Sequence, residues 1–178
     1  MLTAIAVIAA LLALALAVIL VLAATKPDTF RVQRATTIEA PPENIFPLIA
    51  DFHAWRGWSP WEGRDPDLQR TYSGAPSGKG AVYAWAGNKN VGSGRMEILD
   101  AREPAKVVIQ LDFLKPFEAH NIAEFTVAPQ GDQTSVTWLM HGPSPFMARI
   151  MHVFMNMDAM VGKDFEAGLA NLKRIAEK

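Results

Sequence analysis

Lys106-Val107-Val108-Ile109-Gln110-Leu111-Asp112-Phe113 and Thr134-Ser135-Val136-Thr137-Trp138-Leu139-Met140-His141 carry apolar side chains at every second position. That two-residue period is the mark of a half-buried strand. Between them Phe117 to Ala128 reads the same way, set off by Lys115-Pro116 and by Gln130-Gly131-Asp132. Upstream, Gln69 to Tyr72, Ala81 to Ala86 and Gly92 to Ala101 are further strands, joined through Ala75 to Gly80 and through Gly87-Asn88-Lys89-Asn90. Phe30 to Ile38 is the first strand. The connections are short, so these strands predict an antiparallel meander of about seven members.

Downstream the period changes. Met147, Ile150, Met151, Phe154 and Met155 form one helical stripe, and Phe165, Leu169, Leu172 and Ala176 form another. Asn156-Met157-Asp158 or Gly162 is expected to bend the chain between them. A sheet with one apolar face and a helix with one apolar stripe bury each other. The expected architecture is α+β, a curved antiparallel sheet wrapped around a long C-terminal helix. Between the first and second strands, Ala40-Pro41-Pro42-Glu43 opens a helix with Ile45, Phe46, Leu48, Ile49 and Phe52 on its apolar side. Pro47 is expected to bend or split it. A short helix or turn follows through Trp55 and Trp58 and stops at Ser59-Pro60.

At the N-terminus, Leu2 to Ala24 contain one polar residue, Thr3, and no charge, whereas all 17 basic and 18 acidic residues lie from Lys26 onward. A helix of that length is about 34 Å long at about 1.5 Å per residue, enough to span roughly 30 Å of hydrocarbon. Residues 1–25 are therefore expected to be a transmembrane anchor, 26–29 a linker and 30–178 the folded domain. The competing reading is a cleaved signal peptide with a weak site at Val21-Leu22-Ala23, but the segment has no basic n-region and is long for one. Lys26, Arg31 and Arg34 flank its C-terminal side, so the positive-inside rule places the domain in the cytoplasm, the alternative being the periplasmic or extracellular face. A net charge of −1 without a basic block argues against a nucleic-acid partner. The absence of cysteine excludes disulfides, thiolate catalysis and Cys-based zinc sites.

The chain resembles the START-like, birch-pollen-allergen-like helix-grip superfamily (SRPBCC), and within it bacterial proteins of the polyketide cyclase/dehydrase and lipid transport type. The resemblance is carried by Ile38-Glu39-Ala40-Pro41-Pro42-Glu43, Trp55-Arg56-Gly57-Trp58-Ser59-Pro60-Trp61 and Thr71-Tyr72-Ser73-Gly74. Gly78-Lys79-Gly80-Ala81-Val82-Tyr83-Ala84-Trp85 and Asp164 to Lys173 extend it. It covers residues 30–177 and implies the helix-grip fold. It says less about activity, because the superfamily holds lipid carriers, hormone receptors, cyclases and proteins with no known chemistry.

No catalytic or metal motif is legible. His53, His120, His141 and His152 form no HExxH pattern and no i, i+4 pair. Gly74 to Gly80 is too short for a phosphate loop and lacks Ser or Thr after Lys79. Asp112, Glu118, His120 and Glu124 are out of phase with the apolar face and belong to the solvated one, unless a bulge reverses the phase. No cofactor and no metal is expected. The predicted function is binding of a hydrophobic small molecule or lipid between sheet and final helix. An enzyme of the cyclase or dehydratase type in the same cavity, or a partner protein with a closed core, are the alternatives. Strand phase assigns the cavity wall to Ile109, Leu111, Phe113, Phe125, Trp138 and Met140, with Trp85 from an earlier strand and Met151 and Met155 from the helix. Trp55, Trp58 and Trp61 either anchor the short helices to the sheet, line the pocket mouth or touch the bilayer interface.

Overall fold

The computed structural model describes all 178 residues. Its strands are β1 (Thr29–Ile38), β2 (Gln69–Gly74), β3 (Ala81–Ala86), β4 (Ser93–Arg102), β5 (Lys106–Lys115), β6 (Ala119–Gln130) and β7 (Gln133–Pro143). They form one antiparallel sheet in the order β1-β7-β6-β5-β4-β3-β2. Thus β2 to β7 is an uninterrupted meander, and β1 closes it by pairing with β7. Irregular register between β4 and β5, at Ser93/Gly94 and again at Ile98/Asp100, helps the sheet to curve.

The helices are α1 (Leu2–Thr25), α2 (Pro42–Ala50), α3 (Phe146–Phe154) and α4 (Met157–Ala176). In α2, Pro42 sits in the first turn, where a missing N–H costs nothing, and Glu43 faces the positive end of the helix. The helix continues through Pro47 and is not split there. Its last carbonyls are satisfied by the next segment, a single turn at Ala54–Gly57. The indole N–H of Trp55 donates to Ile49 O at 2.9 Å, and that of Trp58 donates to Leu48 O at 2.9 Å. Both rings are buried, so the first two tryptophans of the cluster fasten α2 to the core.

The C-terminal helix starts anew at Asn156, whose side chain accepts a hydrogen bond from Ala159 N. Phe165, Leu169 and Leu172 point into the core from α4. Arg34 of β1 reaches up to α4, donating to Glu166 at 2.6 Å and to both carboxylate oxygens of Asp158 at 2.9 and 3.0 Å. A Cβ at Gly162 would lie 1.9 Å from that guanidinium, so a glycine there leaves the arginine its seat.

Two expectations change. The stripe of Met147, Ile150, Met151, Phe154 and Met155 does not belong to the gripped helix. The backbone turns extended at Met155, and α3 is a separate element that packs along α1 with none of its residues buried. The first strand also opens at Thr29, so only Lys26-Pro27-Asp28 connects it to α1. That α1 is long and apolar enough to cross a membrane, and it is exposed along its length except at Ile19, which is half-buried, and Ala23, which is buried.

Gly168 tests the grip. A Cβ there would meet the Trp138 ring at 2.9 Å and Pro60 at 3.1 Å, both rigid. Gly168→Ala should lower the unfolding free energy by about 1–3 kcal/mol, the usual cost of overpacking. Denaturant titration of the detergent-solubilised chain measures this, and an unchanged midpoint would mean that α4 is not seated against Trp138.

Candidate functional site

The sheet and α4 do not close completely on each other. At the end of the sheet nearer α1 they enclose a cavity of about 190 Å³, partly open to the surface and lined by 17 residues, 14 of them hydrophobic. For scale, an engineered cavity of roughly 150 Å³ holds a benzene ring. The floor is Met96, Leu111, Phe113, Ala123 and Met140 from β4 to β7, with Tyr83 and Trp85 from β3. The roof is Val161, Asp164 and Phe165 of α4, the rim is Ser59, Trp61, Glu62 and Leu68 with Val91 of the β3–β4 turn, and the buried Trp55 bounds the space on the core side.

Aromatic rings hold this space open. Trp138 stacks on Phe165 with centroids 4.0 Å apart and planes 4° from parallel. Trp61 meets both rings edge-on, at 5.8 Å and 6.3 Å. On the far wall, Trp85 stands edge-on to Phe113 at 5.8 Å and stacks with Tyr83 at 6.0 Å. Such rigid pairs resist collapse into the gap.

The polar groups at the cavity are mostly engaged. Glu62, whose side chain is 8% exposed, accepts from Arg70 Nε at 2.6 Å and from the Tyr83 hydroxyl at 2.7 Å. Arg70 also donates to the carbonyls of Leu68 and Glu62. This pins the 59–68 segment to β2 and β3. Burial, reinforced by the hydrogen bond and charge of Glu62, pushes the Tyr83 phenol well above the usual tyrosine range, so it remains a protonated donor. Across the mouth, Arg64 pairs with Asp164 and lies over the Trp61 ring. One group differs. The indole N–H of Trp138 is buried and has no acceptor in the protein, unlike those of Trp55, Trp58 and Trp85. An unpaired buried donor costs about 1–3 kcal/mol, and an acceptor on a bound molecule would recover it.

Of the residues assigned to the wall from strand phase, Trp85, Leu111, Phe113, Trp138 and Met140 line the cavity. Ile109 and Phe125 share their phase but are fully buried in the packed core. Met151 and Met155 are 45% and 40% exposed on the outer side of α3 and its end, away from the cavity. The bend expected at Asn156-Met157-Asp158 is present, but periodicity had no way to register that the stripe before it faces outward. The Glu62–Arg70–Tyr83 cluster was also missed, because its members come from three segments and carry no shared spacing. The only signal was a charged Glu62 beside a tryptophan-rich turn.

On the opposite face, His120 Nδ1 donates to Asp112 at 2.8 Å, and Gln110 donates to the same carboxylate. Burial pushes Asp112 up, but these hydrogen bonds outweigh it and hold the carboxyl below its ordinary value. Lys106 and His141 hold Glu124 low in the same way. These carboxylates belong to the solvated face of the sheet, as their phase implied, and not to the cavity.

An antiparallel sheet gripping one helix around an apolar cavity defines the helix-grip class. Residues 29–177 match the family described as polyketide cyclase/dehydrase and lipid transport, and the chain belongs to it. No curated protein matches the sequence. Solved structures with the same fold include a Chromobacterium violaceum protein (14% identity, TM-score 0.59, covering 86% of this chain and 99% of that one). The Aha1 dimer from Colwellia psychrerythraea is similar (17% identity, TM-score 0.57, covering 83% and 96%). So is the di-domain ARO/CYC BexL from the BE-7585A biosynthetic pathway (13% identity, TM-score 0.60, covering 88% of this chain and 53% of that one).

The Tyr83 phenol makes a pH test. Its raised folded value means that its contribution to stability is complete below the ordinary tyrosine value of about 10 and is lost as pH rises beyond it. Tyr83→Phe should cost about 1.5–3 kcal/mol at neutral pH, the loss of a hydrogen bond to a charged group. The gap between wild type and variant should narrow above pH of about 10. Unfolding curves across that range measure both, and a gap independent of pH would mean that Tyr83 does not hold Glu62.

Proposed function

We propose that this protein is a membrane-anchored binding module for a hydrophobic small molecule or a lipid, held between sheet and α4. The observation that carries the reading is the cavity itself, with apolar aromatic walls and one unpaired donor, Trp138. A pocket of this kind is a binding site by default. Its size suits one ring system or one end of a chain, with the remainder extending out of the partly open cavity. The ligand is expected to carry a hydrogen-bond acceptor, such as a carbonyl or ether oxygen, that meets the Trp138 N–H. The family description, which joins lipid transport with cyclase chemistry, is in keeping with an apolar cargo.

Chemistry inside the same cavity is the second reading, favoured by the protonated Tyr83 backed by Glu62. Binding is preferred on geometry. Both acceptor oxygens of Glu62 are taken, one by Arg70 and one by Tyr83, which leaves neither group free to exchange a proton with a ligand.

The anchor reading rests on α1. Its end is not a loose tail: Ala23 is fully buried and the helix packs along α3. Cleavage near Ala23 would strip this packing, which favours a retained helix over a signal peptide. The domain is assigned to the cytoplasmic side by Lys26, Arg31 and Arg34. A reporter fused after Lys178 should be active in the cytoplasm; activity only outside it would reverse the assignment.

Native mass spectrometry of the detergent-extracted full chain should retain an apolar small molecule. Ala123→Phe places a ring in the cavity floor and should release that molecule at a stability cost of about 1–3 kcal/mol. A wild-type chain that carries nothing, or a variant that carries as much, would remove the cavity from the account.

A further inference from the structure

We infer that α3, together with the β5–β6 turn, is a second membrane contact that seats the cavity end of the domain on the bilayer surface; this rests on the reading of α1 as an anchor. Four observations converge on it. On α3 the residues at i, i+4, i+7 and i+8, namely Met147, Met151, Phe154 and the following Met155, are exposed, and so is Phe146 beside them. A surface helix ordinarily buries such a stripe. Here Met147 is 71% and Phe154 is 68% exposed. An exposed apolar strip of this size on a soluble face is a contact site.

The second observation is where α3 lies. It packs along α1, the helix proposed to enter the membrane, and Arg149 ties it to the carbonyl of Lys26. The bare stripe therefore continues the surface of the anchor near the point where α1 ends. The third is the reach of the connector. Lys26-Pro27-Asp28 spans at most about 11 Å at about 3.6 Å per residue, so the domain cannot leave the bilayer surface.

The fourth is the end of the sheet that faces this way. The register pairs Thr29, the first residue after the connector, with Pro143, and α3 follows directly from that strand end. The same end of the sheet carries the β5–β6 turn, since Phe113 pairs with Ala119. In and beside that turn Leu114 is 52% and Phe117 is 72% exposed. The cavity reaches this end too: Met140 lies on the β7 stretch leading to Pro143, and Phe113 pairs with Ala119 at the start of β6. Anchor, bare helix, bare turn and cavity thus share one end of the molecule, while the β6–β7 turn at Gly131 and Asp132 marks the opposite end.

The occupant of this surface is the lipid bilayer and not a second protein, because α1 carries the patch to the membrane whatever else is present. The contact is mainly apolar. Lys26, Lys89, Lys115 and Arg149 at this end outnumber Asp28 and Glu118, which adds attraction to anionic headgroups. An amphipathic element of this kind lies with its apolar side roughly 5–10 Å into the interface. A ligand dissolved among the acyl chains would then reach the cavity without crossing water.

The chain has no cysteine, so single cysteines can be placed at will. The full chain, reconstituted in phosphatidylcholine vesicles, would carry one environment-sensitive thiol label in each of Met147→Cys, Phe117→Cys, Leu12→Cys and Asp132→Cys. Lipids brominated on their acyl chains serve as quencher. Leu12→Cys should be quenched strongly and Asp132→Cys not at all. Met147→Cys and Phe117→Cys should lose about half their emission or more, as expected for groups at the acyl boundary. If Leu12→Cys is quenched while the Met147→Cys and Phe117→Cys labels behave like Asp132→Cys, the docking surface is wrong and the anchor stands. Labels at those two positions that are shielded from water yet not quenched would mean that protein covers the face, which also overturns the proposal. No quenching at Leu12→Cys would remove the anchor reading and the docking surface together.

Discussion

The parallel stack of Trp138 on Phe165 joins the last strand of the sheet to the C-terminal helix, and the other packing decisions follow from it. With ring centroids 4.0 Å apart, the two side chains fix the height of α4 above β7. That height requires a glycine at position 168, where the helix passes over the edge of the indole. It also leaves a gap on one side of the stack. Toward the α2 end the space is filled by Trp55, Trp58 and Phe125, with both tryptophans edge-on to Phe125 and Trp138. Toward the α1 end only the rim residues approach, and the cavity remains. The core and the binding site are therefore two halves of one apolar layer, divided by the Trp138 ring.

This division explains what the sequence reveals and what it hides. Alternation along β5 and β7 identifies the inward face without ambiguity, and Leu111 and Phe113 are in phase with Val107 and Ile109. Phase does not say how far along the strand the covering layer extends. Val107 and Ile109 are fully buried, whereas Leu111 and Phe113 are only partly covered because they face the cavity. The covering segment, from Trp55 to Leu68, is irregular and has no period to read. Its charged members Glu62 and Arg64 look like solvated loop residues until the fold brings Tyr83, Arg70 and Asp164 beside them.

The methionine-rich stretch before α4 is the more instructive misreading. Its helical period is real, since α3 is a helix. A period tells which residues share a side but not which side meets the protein. With the break at Met155 and Asn156 and with α1 occupying one flank, the stripe that would ordinarily be buried faces outward. In a soluble protein such a surface would promote aggregation. Beside α1, read as a membrane helix under the proposed function, the bilayer would solvate it. The fold, the helix grip and the apolar N-terminal helix were thus legible in local patterns. The cavity boundary and the outward stripe depended on tertiary placement, which no single segment encodes.

The central claim is that the space beside Trp138 holds part of an apolar molecule. Nuclear Overhauser spectroscopy on the full chain in lipid nanodiscs, with methyl groups of leucine and methionine selectively labelled, tests it most directly. The account predicts cross-peaks from ligand or lipid protons to the methyls of Leu111, Met96 and Met140, which line the cavity. Cross-peaks confined to methyls of α1 and α3, with none at those three residues, would contradict it.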